Sequence, residues 1–464
     1  MPILGQKKPE EPILILPGKD GTILKMTKEE LKLAEEREKL KDTFLGLSYY
    51  DKKTKRLIEQ IYKDGFVFAV KDYNTGKLDF KDEVEVNNLT YKPEIRQAEP
   101  FRRDKVILFP TDVVDYGSNE QLLKDCNTFI SAYWFADSFD YLLNEYYALY
   151  SWTYDRFHEC CYLNNEGQFG WGKSRWKNTV GGICYRSTNV AGLLYPASLF
   201  HVIDYARGTT VIDEADFSGA DLTAGITKVL TMGHEDNNPI VRCDSETGKI
   251  VSYNPYGTKI YSNRKQIPDP ALRSRCAKIL AKYDVLKSKP TNLPDRFFDE
   301  RQLLINKSMK WRFDHYLTTK IDETMQSRMP NYEGRLCQVM IPVLSSLKMF
   351  DAEHKLAAFM DQKNIEITED RKEDYSYRIF ITILQLKSEQ RNQLLKRPFT
   401  VGWISQKFNE MYPNPNWALS NSTCGKIIKN SLELETKMNS AGQMQLVYTE
   451  EDIERLKTKF NINS

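Results

Sequence analysis

The sequence predicts an α/β fold built around a phosphate-binding strand–loop–helix unit, and three observations predict it. The stretch "GQFGWGKSRW" fits G-x-x-x-x-G-K-[ST] from Gly167 through Gly172, Lys173 and Ser174. The β-like run "CCYLNNE" ends just before Gly167, and "SRWKNTVGGICYR" reads as a helix start just after it, which is the order such a loop requires. About forty residues on, Thr210, Val211 and Ile212 form a buried-strand run that ends in two carboxylates, Asp213 and Glu214.

Each part has a chemical reason. Glycines at Gly167, Gly170 and Gly172 let the backbone fold tightly, so that its N–H groups face phosphate oxygens, and a helix start adds positive charge. Lys173 reaches the β- and γ-phosphates, and Ser174 ligates Mg²⁺. Asp213, delivered by its strand beside the loop, holds Mg²⁺ through water, and Glu214 orients and deprotonates the attacking water. Two acids after an apolar run are by themselves a common solvated strand end. In combination with a full phosphate loop they point to a nucleoside triphosphatase that uses Mg²⁺.

Composition constrains the rest. The chain has 464 residues and a formal net charge of +2, so a nucleic-acid partner has to be held by local basic patches and not by the field of the whole molecule. None of the eight cysteines forms C-x-x-C and the five histidines do not cluster with them, which argues for reduced thiols and against zinc. The N-terminus carries no apolar stretch behind basic residues, and no apolar run approaches the roughly 18 residues of a membrane span. A cytoplasmic protein with no membrane partner is expected.

Along the chain, residues 1–105 read as a small mixed accessory domain, 106–285 as the nucleotide-binding core, 286–385 as a helical lid and 386–464 as a C-terminal module of two helices and a β-wing. In the first block, "ILILPGKDGTILKM" gives two short strands. "TKEELKLAEEREKLKDTFLGLS" gives a helix capped by Thr27 and Glu30, and "GFVFAVKDYNTGKLDF" a hairpin turning at Asn74, Thr75 and Gly76. The aromatic helical stretch from Gly117 to Phe157 reads as core. Beyond the two acids, "NPIVRCDSETGKIVSYNPYGTKIYSN" reads as a hairpin and a third strand that ends at Ser262 and Asn263, and "DPALRSRC" puts Arg273 and Arg275 on a short turn.

The run from "WTYDRF" through "GQFGWGKSRW", "GTTVIDEAD" and "LTMGHEDNNPIVRCDSETGKIVSY" to "DPALRSRC" resembles the AAA+ ATPase core of replicative helicases of viruses, plasmids and genomic islands. It is similar in layout to MCM-type helicases, and the resemblance covers roughly Gly117 to Tyr283. It implies a P-loop NTPase (AAA+) fold with a helical lid and a C-terminal winged helix. Lys173 and Ser174 would be the Walker A pair, Asp213 and Glu214 the Walker B pair, and Asn263 the first sensor. Arg275 would be the arginine finger, with Arg273 the fallback, and Arg335 a second sensor on the lid. Trp171 departs from the small residue usual in such a loop, and either stacks on something or covers the loop.

The implied activity is ATP-driven unwinding of or translocation on DNA, single-stranded or forked, in the replication of a virus or mobile element. A homo-oligomeric, hexameric ring with sites between subunits goes with it. An ATP-regulated initiator or loader that does not unwind processively is the alternative. In the hairpin that such families point into the channel, Arg242 and Lys249 would track the DNA backbone, a plain surface charge being an equal reading of Lys249. His234 either relays nucleotide state to that hairpin or is a satisfied loop histidine. In the winged helix, Lys426 and Lys429 would face DNA, unless the module contacts protein instead.

Overall fold

A computed structural model describes residues 14–17, 23–26, 43–136, 138–190, 195–213, 220–243, 248–264, 267, 269–373, 375–392, 399–413, 418–460 and 462. Two compact units separate: Met1–Pro330 with Cys337–Ala357, and Asn331–Leu336 with Ala358–Ser464.

The first unit opens with strands β1 (Leu14–Pro17) and β2 (Ile23–Met26), an antiparallel pair. The helix expected after Thr27 falls mostly outside the described residues, and its far end is corrected: Thr43–Gly46 is a strand, β3, paired in parallel with β9 (Leu89–Pro93). A β-branched and an aromatic residue head this segment, and Phe44 stacks on Tyr91 with ring centroids 4.4 Å apart, a cross-strand contact that a helix would forfeit. An antiparallel sheet follows, of β4 (Ser48–Asp51), β5 (Arg56–Tyr62), β6 (Phe66–Asp72) and β7 (Leu78–Lys81). Its β6–β7 turn lies at Asn74–Gly76, where the Asp72 carboxylate accepts from the backbone N–H groups of Asn74 and Thr75. Strand β8 (Val84–Val86) pairs with β9, and Ile58, Phe68, Val70, Val84, Val86 and Tyr91 close the core between the sheets.

Helices α1 (Ala98–Arg103), α2 (Asn119–Tyr133) and α3 (Ser138–Tyr150) lead into the central sheet. The aromatic stripe is core: Tyr146, Tyr147, Tyr150 and Trp152 are all buried. The sheet has five strands in the order β11 (Thr188–Val190), β12 (Thr210–Ile212), β15 (Lys259–Asn263), β10 (Tyr162–Glu166), β16 (Cys276–Leu280). Every pairing in it is parallel. Strands buried on both faces read as continuous runs without alternation, and β10, β12 and β15 are buried at each position. The first strand, β10, lies between two later ones, so its C-terminal end opens at a crossover, where α/β sheets bind ligands. This mixed α/β layout with a parallel sheet fits a P-loop-type core.

Helices α4 (Lys173–Thr179), α5 (Pro196–Ala206) and α6 (Ala220–Met232) connect these strands. An antiparallel hairpin of β13 (Ile240–Cys243) and β14 (Ile250–Tyr253) precedes β15, and its turn residues 244–247 lie outside the described set. One-turn helix α7 (Pro270–Arg273), capped by the Asp269 carboxylate on the Leu272 N–H, precedes β16. Helix α8 (Asp295–His315) packs on α2 through stacked Phe129 and Phe297.

A buried charge cluster ties the N-terminal sheets to this core. Glu59 on β5, fully buried, accepts from Arg186 Nη2 at 2.6 Å, Arg312 Nε at 2.9 Å and the Tyr185 hydroxyl at 2.8 Å. Arg312 also holds Asp155 through both terminal nitrogens at 2.8 Å. Buried charges are tolerable only when paired in this way.

In the second unit, α9 (Tyr375–Asn392), α10 (Val401–Met411), α11 (Asn421–Asn430), the hairpin of β17 (Glu435–Met438) and β18 (Met444–Val447), and α12 (Glu450–Lys459) share one apolar core that includes Ile383, Phe408, Ile428, Leu446 and Leu456. Thr400, Ser420 and Thr449 each cap a helix start with a side-chain oxygen. Among the described residues no helix is long and apolar enough to cross a membrane.

Candidate functional site

The loop that leaves β10 is shaped by its glycines for two different reasons. Gly172 has φ +75°, in the left-handed region, and hands the chain to α4 at Lys173. Gly167 is needed for closeness: a Cβ there would lie 2.5 Å from Ala281 Cβ and 3.4 Å from the Trp171 ring. Trp171 therefore covers the loop at Gly167. Gly170 also takes a positive φ, of +80°.

Lys173 Nζ donates to the carbonyls of Gly167 and Gln168, both at 2.7 Å, which holds the ammonium over the loop. Ser174 is exposed in the first turn of α4. That helix is only seven residues long, so its dipole contributes less than the loop amides and the Lys173 charge.

Asp213 follows the last residue of β12 and sits at the same edge of the sheet. Its Oδ2 takes Lys177 Nζ at 2.7 Å, and its Oδ1 takes the Ser262 hydroxyl at 2.9 Å. Lys177 lies one turn after Lys173 on α4, so the acid is tied to the helix that the loop lysine opens. Glu214 lies outside the described residues.

Beneath the loop runs a buried polar row that sequence reasoning missed except for its last member. Asn164 and Glu166 on β10 are joined at 2.8 Å, and Asn263 at the end of β15 donates to Asn164 at 3.1 Å. Asn263 also accepts the Gly167 N–H through its carbonyl at 3.1 Å, which fastens the loop to that strand. The side-chain Oδ1 of Asn263 is buried without a hydrogen-bond partner. The signal for this row was visible: the β-like run "CCYLNNE" ends in three polar residues.

A second omission is the cleft of about 150 Å³ beside the loop, lined by Trp134, Phe135, Trp171, Gly172, Asp284 and Lys289 among others. Two buried polar atoms in its lining, Trp134 Nε1 and Asp284 Oδ1, make no hydrogen bond in the structure. Trp134 is 1% exposed, and its Nε1 lies 3.7 Å from the position a Cβ on Gly172 would take. Against burial, which raises it, hydrogen bonds from Ser288 and from the Lys289 backbone, with the Lys289 charge, hold the Asp284 carboxyl below its usual range.

The arginine turn lies at the opposite edge. The Arg275 carbonyl accepts from the N–H of Tyr162, the first residue of β10, whose last residue precedes the loop. Four residue steps of about 3.3 Å separate the two edges. Arg275 is 8% exposed, with Nε on His234 Nδ1 at 2.9 Å and a terminal nitrogen on the Ala271 carbonyl. Arg273 is half-buried and donates to the Ile267 carbonyl at 3.2 Å.

On the hairpin, Arg242 and Lys249 are both exposed, Arg242 lying over the Phe200 ring at 5.3 Å. Arg335 belongs to the second unit, half-buried, its N–H on the Glu333 carboxylate at 2.8 Å. In that unit, Lys426 and Lys429 are exposed on α11 and line a groove of about 600 Å³ with Thr400, Asn421, Gln443 and Met444. The eight cysteines form no disulfide, and among the described residues no group of three or more His, Cys, Asp or Glu could hold a metal ion.

No protein-family model matches the chain, and no curated protein matches it. Among solved structures it is similar to the apo C-terminal region of NrS-1, at 11% identity over 84% of this chain and 96% of that one, with a TM-score of 0.36. It is similar to SCCmec type IV Cch, described as an active helicase, at 10% identity over 97% of this chain and 92% of that one, TM-score 0.45. A full-length MCM homolog from Methanopyrus kandleri is similar at 12% identity over 60% of this chain and 61% of that one, TM-score 0.28. With these TM-scores below 0.5, function is read from the site itself.

Proposed function

We propose that this chain is an ATP-driven DNA helicase or translocase whose nucleotide sites are completed between copies of itself. The observation that carries the reading is the convergence of Lys173, on the loop after β10, and Asp213, after β12, at one edge of a parallel sheet, joined by Lys177.

In this reading the loop amides and Lys173 bind the triphosphate, the lysine exchanging its two carbonyl acceptors for phosphate oxygens. Ser174 and Asp213 hold Mg²⁺, which neutralises charge on the phosphates when bound; a carboxylate has about four lone-pair positions, so contacts to Lys177 and Ser262 are compatible with that role. Glu214 takes the proton of the attacking water, and Asn263 orients that water. The cleft at Trp134 and Asp284 receives the base: an indole N–H donor and a carboxylate acceptor match the ring nitrogen and exocyclic amine of adenine.

Arg275, and Arg273 on the same turn, lie across the sheet from their own loop. They serve a neighbouring copy's triphosphate, which supports a ring, hexameric by the resemblance. Arg335 on the lid is the second sensor. Arg242 and Lys249 on the hairpin track single-stranded DNA, and the C-terminal helices and wing, read as a winged helix, bind DNA through Lys426 and Lys429. The setting is replication of a virus or mobile element.

The test is strand displacement on a forked duplex by the purified protein with ATP and Mg²⁺. Unwinding that Lys173→Ala abolishes supports the helicase. ATP-dependent DNA binding without unwinding supports an initiator or loader instead.

A further inference from the structure

We infer that His234 is a positioning residue for Arg275: its ring accepts the guanidinium Nε–H and sets the plane in which the arginine is presented to a neighbouring copy's nucleotide. The inference rests on the proposed reading of Arg275 as a cation acting in trans, and it assigns the residue that orients it.

His234 is 2% exposed, and both ring nitrogens are engaged. Nε2 lies 2.9 Å from Glu235 Oε1, so that nitrogen carries the ring proton and Nδ1 offers a lone pair. Arg275 Nε–H meets that lone pair at 2.9 Å. The Thr231 carbonyl also lies 2.8 Å from Nδ1, which in this tautomer sets two acceptors side by side. The cationic Arg275 donor at Nδ1 offsets their repulsion. With Nε on the ring and one terminal nitrogen on the Ala271 carbonyl, the guanidinium plane is set.

The histidine is itself held by its backbone. Its carbonyl accepts from the Cys160 N–H at 2.9 Å, two residues before β10. The preceding Gly233 is pressed against the loop that leaves the β13–β14 hairpin: a Cβ there would lie 2.3 Å from the Pro255 carbonyl oxygen. Gly257 N–H and Lys259 Nζ both donate to the Gly233 carbonyl, at 3.2 and 3.1 Å. The ring that meets Arg275 is therefore fixed to the central strand and the hairpin stem together.

Misplacing a catalytic group by about 1 Å costs on the order of 100-fold in rate. Removing the acceptor with His234→Ala is expected to lower kcat for ATP roughly 10- to 100-fold with KM little changed, because ground-state nucleotide contacts are made by another subunit's loop. His234→Gln, which keeps an acceptor, restores part of the loss; a ring needed only for packing would not be replaced this way.

The deciding measurement mixes variants of the full-length chain. His234→Ala subunits keep an intact phosphate loop, and Lys173→Ala subunits keep an intact His234–Arg275 pair. The mixture is expected to hydrolyse ATP faster than the sum of its parts, as is an Arg275→Ala with Lys173→Ala mixture. If the Arg275 mixture recovers and the His234 mixture does not, His234 acts within its own subunit and the inference fails while the trans site stands. Failure of both mixtures overturns the trans site and the inference together. The inference is also overturned if His234→Ala keeps wild-type kcat, or if Arg273→Ala abolishes turnover while Arg275→Ala does not.

Discussion

The Ser262 hydroxyl donates to Asp213 Oδ1 at 2.9 Å, from the strand next to the one that Asp213 follows. The register puts Ile212 opposite Tyr261, so the residues one step beyond each, Asp213 and Ser262, come side by side at the sheet edge. A carboxylate gripped by a neighbouring strand on one oxygen and by Lys177 on the other is held in one rotamer beside the loop. Such restraint is what a metal-binding acid requires.

Ser262→Ala is therefore expected to weaken Mg²⁺ use more than nucleotide affinity. Losing a hydrogen bond to a liganding carboxylate typically lowers metal affinity about 10- to 100-fold. Titrating Mg²⁺ at saturating ATP checks it: a half-maximal concentration equal to that of the unaltered protein removes the role given to Ser262.

Base selection follows from the orphaned pair in the cleft. Asp284→Ala and Trp134→Phe each delete one base contact, and kcat/KM for ATP is expected to fall about 10-fold or more, with less change for a triphosphate whose base offers neither group. Parallel measurement with ATP, GTP and UTP reads this out. Uniform loss across all three would place both residues in the scaffold alone.

Glu59 pairs with two buried arginines, Asp155 supplying the second negative charge at Arg312, and Arg186 Nε already lacks a hydrogen-bond partner. Glu59→Gln leaves uncompensated buried charge and is expected to destabilise by roughly 3–5 kcal/mol, visible as a lowered urea midpoint. Tyr185→Phe, which removes one neutral donor to the same carboxylate, should lower it by only about 1 kcal/mol.

Burial raises the Glu145 carboxyl to about 7 from its usual 4.5, with a hydrogen bond from Asn127 and the charge of Lys355 pulling the other way. A carboxyl that holds its proton more tightly when folded favours the fold at low pH. Stability contributed by Glu145 is present below about 4.5 and is lost as pH rises toward 7, by on the order of 3 kcal/mol. Glu145→Gln should flatten that slope in Tm between pH 4.5 and 7. An unchanged slope in the variant assigns it to other groups.

On DNA, exchanging Lys426 and Lys429 together for alanine is expected to weaken binding similarly across sequences and to reduce the salt slope of log K by roughly 2. A change in sequence preference with no change in slope would contradict phosphate contact.

Much of the first unit was legible because its signals are local. Gly167 to Ser174 is a contiguous pattern, and Asp213 follows a strand that its own β-branched residues define. The Asn74–Gly76 turn is written in Asp72, whose carboxylate takes two neighbouring N–H groups. What escaped depends on distant partners. Thr43–Gly46 reads as the end of a charged helix until Leu89–Pro93 pairs with it. Trp134 and Asp284 are 150 positions apart, and an indole left without an acceptor cannot be recognised before both sit beside the loop. The same holds for Glu59, whose partners Arg186 and Arg312 come from a loop and a helix far along the chain.

The most direct test of the nucleotide site is steady-state ATP hydrolysis, with equilibrium binding of a fluorescent ATP analogue, for the unaltered chain, Lys173→Ala and Glu214→Gln. The site as read gives binding and turnover in the first, neither in Lys173→Ala, and binding without turnover in Glu214→Gln. Normal hydrolysis by both variants, or no Mg²⁺-dependent binding by the unaltered chain, would contradict it.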